Sequence, residues 1–184
     1  MSGFELATSS ISELRINEYV SDAAAVKIAI GDVVVLTGTA SATGIPQVKQ
    51  ISGTNPWVAA ITGVVVGIKP NFATENFSST GVAASTAATL LVCDDPRALY
   101  EVESDATLVI ADVGLNVDII STEATLSGVM YTSNYKLDGS SVVTTAATPV
   151  RIVKLLKGAT SGTLGDRALV RLNETTDIAG AAGV

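Results

Sequence analysis

The chain is a succession of short runs rich in β-branched residues, each ended by a turn signal before a helical period is established. Strand propensity is high over residues 26–30, 33–37, 47–51, 57–68, 89–93, 98–104, 107–110, 116–120, 127–132, 141–145, 150–156 and 168–172. Gly31-Asp32 separates two of these runs in the Gly-first order that favours a tight II′ hairpin. Asp138-Gly139 and residues 162–166 offer further reversals, and Pro70-Asn71 marks an exit. Such a pattern predicts an all-β fold, with a jelly-roll or β-barrel/sandwich body.

A chain of 184 residues is most simply one domain with a substantial core. The organisation expected is an extended N-terminal arm over 1–25, a single β-rich domain over 26–173 and a flexible C-terminal tail over 174–184. Ser10 and Glu13 have the spacing of a helix cap, but the mixed, β-branched residues after them oppose a helix. Residues 71–88 are polar and small, and read as a long excursion loop.

Two strands show clear alternation. Ala98, Tyr100 and Val102 can face a core while Leu99, Glu101 and Glu103 face outward; Ala168, Val170 and Leu172 oppose Arg167, Leu169 and Arg171 in the same way. Charge is uneven along the chain. From Asp94 to Glu123 eight acids accompany the single base Arg97, whereas residues 151–171 hold Arg151, Lys154, Lys157, Arg167 and Arg171 against Asp166. The two segments either neutralise each other as neighbouring strands or form complementary patches between subunits.

Composition narrows the chemistry. There is no histidine, which removes the commonest proton shuttle near neutral pH, and the one cysteine, Cys93, sits in an apolar run as a small buried hydrophobe. Eight aromatic residues among 184 disfavour a stacking platform for sugars or single strands, and a net charge of −7 opposes nucleic-acid binding. The first residues lack a basic, apolar leader, so synthesis in a cytoplasm is expected. The apolar stretch 57–68 is shorter than the roughly 20 residues a spanning helix needs, so no membrane role is expected.

Motifs with catalytic overtones are weak. Ser133 and Lys136 match the S-x-x-K spacing of serine acylases but lie in a turn-rich stretch, without the helix that would align them. Asp94, Asp95, Asp105, Asp112 and Asp118 lack the spaced, glycine-containing loop of an EF-hand and read as a solvated acidic face. The glycine-rich 158–165 lacks a phosphate-loop ending and reads as a hairpin tip. Neither catalytic, cofactor nor metal site is expected.

A series of blocks carries a family resemblance: Gly31 to Leu36, Ile61 to Gly67, Val92 to Pro96, Tyr100 to Asp105, Ala111 to Asp118, Pro149 to Val153 and Ala168 to Asn173. In this order they resemble the small β-rich head proteins of tailed bacteriophages, the decoration or cement proteins bound outside the major capsid shell. The resemblance implies a virion protein made in the host cytoplasm. It also implies docking on the major capsid protein, and self-association as a trimer or, less favoured, a dimer. Phe4, Leu6, Ile11, Leu14 and Ile16 would then anchor an N-terminal arm. Trp57, Arg167 and Arg171 are further candidate contacts, although Trp57 fits an ordinary core position too. The alternative is a phage fibre or glycan-binding β-sandwich module.

Overall fold

The computed structural model describes residues 3–7, 13–22, 26–51, 61–70, 80–128, 130–144 and 148–173. In chain order the strands are β1 (Glu5–Leu6), β2 (Ile16–Ser21), β3 (Ile28–Ala29), β4 (Val33–Ala40), β5 (Pro46–Gln50), β6 (Ile61–Ile68), β7 (Gly81–Val82) and β8 (Thr89–Cys93). They continue with β9 (Leu99–Glu103), β10 (Asn116–Ile120), β11 (Thr125–Ser127), β12 (Met130–Thr132), β13 (Lys136–Val143), β14 (Val150–Lys157) and β15 (Leu164–Leu172).

Five strands close a barrel in the order β2-β5-β4-β6-β8, with β8 returning to β2. All its pairings are antiparallel except β2 with β5, where Val20 stands beside Gln47 and Ser21 beside Val48. A six-stranded sheet of order β1-β9-β15-β14-β10-β13 lies against it. This sheet curls on itself, because Ser104, just past β9, makes a bridge to Leu137 on the far strand β13. Closure of the barrel and curling of the sheet limit the open edges that would invite pairing with other chains. The expected all-β, barrel-like architecture is therefore present.

Two cores explain the strand sequences. Val34, Val48, Val65, Leu90 and Val92, with Tyr19 packed against them, fill the barrel interior from its five strands. On the barrel's outer side Val33, Val35, Ile61, Val64 and Cys93 join Tyr100, Val117, Leu137, Ile152 and Val170 of the curled sheet in a second core. β4 and β6 are consequently apolar on both faces, which is why residues 33–35 and 64–66 are unbroken valine runs with no alternation. Strands with one wet face alternate as expected: Ala98, Tyr100, Val102, Ala168, Val170 and Leu172 are buried.

Two tyrosines stitch the seam between barrel and sheet. The Tyr100 hydroxyl donates to the Cys93 carbonyl at 3.2 Å, and Tyr135 donates to the carbonyls of Ile51 and Val33. Each buried hydroxyl thereby meets the requirement for a partner while the ring fills apolar space.

The described N-terminal residues depart from the expected arm. Phe4 is 2% exposed and stacks edge-on to Tyr100 at 6.0 Å between ring centroids. Glu5 and Leu6 add to β9, and residues 16–21 complete the barrel. The reason is geometric: without β2 the edges of β5 and β8 would stay unpaired. The tail 174–184 lies outside the described residues.

Three local expectations also change. Residues 107–110 are not a strand but lead into a 3-10 turn at Ile110–Asp112. The run 127–132 bends into the β11–β12 hairpin, with Gly128 at φ 63°. Asp138-Gly139 lies within β13, where a register shift against β10 absorbs the turn-prone residues.

Two glycines separate conformational strain from steric approach. Gly165 has φ +98°, and a Cβ there would lie 2.0 Å from the Leu108 carbonyl oxygen; Gly114 has φ +91° with open space around it. Gly114→Ala should cost about 1 kcal/mol through backbone strain alone, and Gly165→Ala about 2 kcal/mol or more. Urea midpoints of the two variants test the ranking; equal losses would contradict it.

Candidate functional site

The most unusual polar group in the molecule is Asp32, at the tight turn between β3 and β4. Its residue is 0% exposed. Oδ2 accepts the Ala29 N–H at 2.8 Å and Gln50 Nε2 at 2.9 Å, and the Ser133 hydroxyl hydrogen-bonds to the carboxyl. Burial pushes this carboxyl up to about 7, against the lowering effect of the bonds from Ser133, Ala29 and Gln50. Asp32 Oδ1 and Gln50 Oε1 are buried acceptors with no donor among the described residues. The titratable neighbour is Tyr135, whose hydroxyl is raised well above its ordinary range by burial and by the Asp32 charge, and so stays protonated.

A second polar cluster ties β2 to the end of β8. Asp94 accepts Arg15 Nε, Asn17 Nδ2 and the Tyr19 hydroxyl, each at 2.8 Å. Asp95 accepts the Arg97 N–H at 2.8 Å and its guanidinium through Nε and a terminal nitrogen at 3.1 Å; that bond is the main reason its carboxyl falls to about 2. These two acids are 7% and 4% exposed, so they are not part of a solvated face. They are buried because a chain entering the barrel at Arg15 needs acceptors for its donors.

The two charge-bearing segments come together as neighbours within the chain. β9 pairs with β15 so that Arg167 stands opposite Glu103 and Leu169 opposite Glu101. Arg167 reaches Glu101 at 2.6 Å and Glu5 at 3.9 Å, whereas Arg171 is exposed on the same face.

The remaining sequence-selected residues scatter. Leu6 and Leu14 are partly buried against the second core, and Ile16 is 45% exposed at the start of β2. Ile11 and Trp57 lie outside the described residues. Cys93 is buried and free, as its apolar run predicts. Ser133 is buried between β12 and β13, while Lys136 opens β13; the helix on which an S-x-x-K pair works is not there. Among the described residues no cluster of three or more acids or cysteines is arranged to hold a metal ion.

A surface feature stands out that sequence reading passed over. Val109, Ile110 and Val113 are 58%, 79% and 43% exposed around the 3-10 turn. The turn is held firmly: Asp112 accepts the Val109 N–H at 2.7 Å, the Gly114 N–H donates to Ile152, and Arg151 donates to the Gly114 carbonyl. Leu164, next to the glycine that accepts from Leu108, is 49% exposed. The signal for this feature was present as an aliphatic run, but a run alone does not say whether it faces a core.

Compared with known protein families, curated proteins and solved structures, the chain matches none.

Asp32 sets a pH dependence with a definite sign. The folded chain holds its proton up to about pH 7, while the unfolded chain loses it near 3.8. Between these values the native state binds more protons, so stability from this group falls as pH rises, by about 1.4 kcal/mol per pH unit, and then levels off. Asp32→Asn keeps a neutral side chain of nearly the same shape at every pH in this range. Thermal unfolding of both proteins from pH 5 to 8 should show the wild type losing stability relative to the variant; parallel curves would contradict the assignment.

Proposed function

We propose that this chain is a decoration protein of a tailed-phage head, bound to the outer surface of the capsid by non-covalent contacts with the major capsid protein. The observation that carries the reading is the rigid aliphatic turn at residues 109–113. Large aliphatic side chains held out in water by a hydrogen-bonded turn are the pattern of a surface made for contact with protein. The turn overlaps the block Ala111 to Asp118, one of those on which the family resemblance rests. A closed barrel packed on a curled sheet suits the role, since a decoration protein meets many equivalent sites on a shell and gains from a fixed shape. The overall negative charge favours keeping such a protein off packaged nucleic acid.

The reading is tested by mixing purified protein with matching undecorated heads. Saturable binding and raised heat resistance of the heads are expected, and absence of binding across salt conditions overturns the proposal. Ile110→Asp should weaken binding at least tenfold without moving the unfolding temperature of the free protein, because Ile110 packs on little of its own chain. Unchanged affinity would remove the turn from the interface.

A further inference from the structure

We infer that the surface of the capsid protein on which the aliphatic turn docks carries carboxylates, and that Arg151, Arg171 and Lys154, beside the turn, pair with them. This rests on the decoration reading above and names the chemistry of the partner.

Strand register puts the three cations on one outward patch. Arg151 on β14 stands directly opposite Arg171 on β15, and Lys154 stands opposite Leu169. Val150, Ile152, Ala168, Val170 and Leu172 are buried, so the alternate residues Arg151, Leu169 and Arg171 face outward. The register shift between Ile152 and Lys154 brings Lys154 back to that same side, with Leu155 buried beneath it. β14 and β15 are immediate neighbours, so the curl of the sheet does not separate these side chains.

The patch runs on into the turn. The Gly114 N–H donates to the Ile152 carbonyl and the Ile152 N–H to the Leu115 carbonyl, which lays the chain after Val113 along β14. Arg151 Nε donates to the Gly114 carbonyl at 3.1 Å, so its guanidinium joins the strand pair to the turn. Val153, within the register shift, is 41% exposed, and Val113 is 43% exposed. Arg151, Arg171 and Lys154 are exposed and make no ion pair among the described residues. Arg167 on the same sheet shows the contrast, since Glu101 and Glu5 already neutralise it. Two arginines directly opposite each other across a strand pair repel, and the chain supplies no described acid to relieve them.

A partner carboxylate set between the two guanidinium groups removes that repulsion and receives charge-assisted hydrogen bonds, for which the planar arginine fork is shaped. The chain as a whole carries net charge −7, so an acidic partner is drawn to this patch and repelled by the acid-rich remainder. The sign pattern thereby fixes the orientation of docking. A phosphate backbone fits less well: the aliphatic side chains of the same patch have nothing to bury against it, and the net charge opposes its approach. A protein surface with carboxylates around an apolar centre matches both halves of the patch. The contact should weaken as salt screens it.

Co-sedimentation of the full chain with undecorated, DNA-free heads tests this as ionic strength rises from about 0.05 to about 0.5 M. Wild-type affinity should fall with salt. Arg151→Glu with Arg171→Glu should weaken binding about tenfold or more at low salt, and Lys154→Glu several-fold. Lys49→Glu with Lys69→Glu, on the barrel, changes the net charge as much as the double arginine variant and should leave affinity within about twofold. Salt-independent binding, unchanged affinity in the arginine variant, or an equal loss in the barrel variant overturns the inference and leaves the decoration reading standing. A wild type that binds no heads at any salt overturns that reading, and this inference with it. Preference for free double-stranded DNA over heads assigns the patch to phosphates and also overturns the inference. Should the charge reversal unfold the chain by circular dichroism, Arg151→Gln with Arg171→Gln takes its place: weakened binding supports the carboxylate contact, and unchanged binding overturns it.

Discussion

The double-sided burial of β4 and β6 is the constraint on which the structure depends. Each strand serves as wall to two cores at once: Val34 and Val65 fill the barrel, while Val33, Val35, Ile61 and Val64 pack on the curled sheet, with a register shift between the two strands. Apart from Thr62 on β6 the buried side chains of both strands are apolar, and neither strand can slip by one position without exchanging its two sets of contacts. The Tyr100 and Tyr135 hydroxyls and the Asp32–Gln50 pair all lie along this shared wall, where backbone carbonyls and turn N–H groups must find partners away from water. Polar chemistry concentrates there because the seam is the place where the barrel and the curled sheet leave backbone groups uncovered.

How much of this was legible in the sequence depended on how many faces each strand buries. β9 and β15, wet on one side, announced their inward residues by simple alternation. β8 and β10 matched their expected spans because β-branched runs ended at clear breaks. β4 and β6 were recognisable as strands but not as a shared wall, since an unbroken valine run looks alike whether it is buried by one layer or two. The N-terminal residues read as an arm because β2 has no apolar stripe of its own: Ile16, Asn17 and Glu18 are exposed, and the strand is held by pairing and by Asp94. Such support comes from residues far along the chain and leaves no local trace.

The same limit hid the candidate sites. Asp32 looked like a turn residue, which it is, but its partners Gln50 and Ser133 belong to other elements and give it a second role. Ile110 sat in an aliphatic run whose exposure only the crossing from β9 to β10 decides. Charge was more transparent. The acidic and basic segments were visible from counting, and their meeting along β9 and β15 was one of two arrangements the sequence allowed. What counting could not reveal was that the pairing is incomplete, with one arginine neutralised and two left facing each other.

The way the barrel closes also has a kinetic consequence. β2 is its first strand in the chain but pairs with β8, so residues 16–21 must wait for residues 89–93 before the ring is complete. On the ribosome, β2 can pair with β5 once both are made, but the sheet β2-β5-β4-β6 stays open until β8 arrives to fill the gap between β6 and β2. The same holds for β1, whose partner is β9. Contacts of this sequence separation slow folding and lengthen the time during which sheet edges are bare. β8 thus acts as the last stave of the barrel, and the nascent chain is most exposed to unwanted strand pairing just before it is set in place.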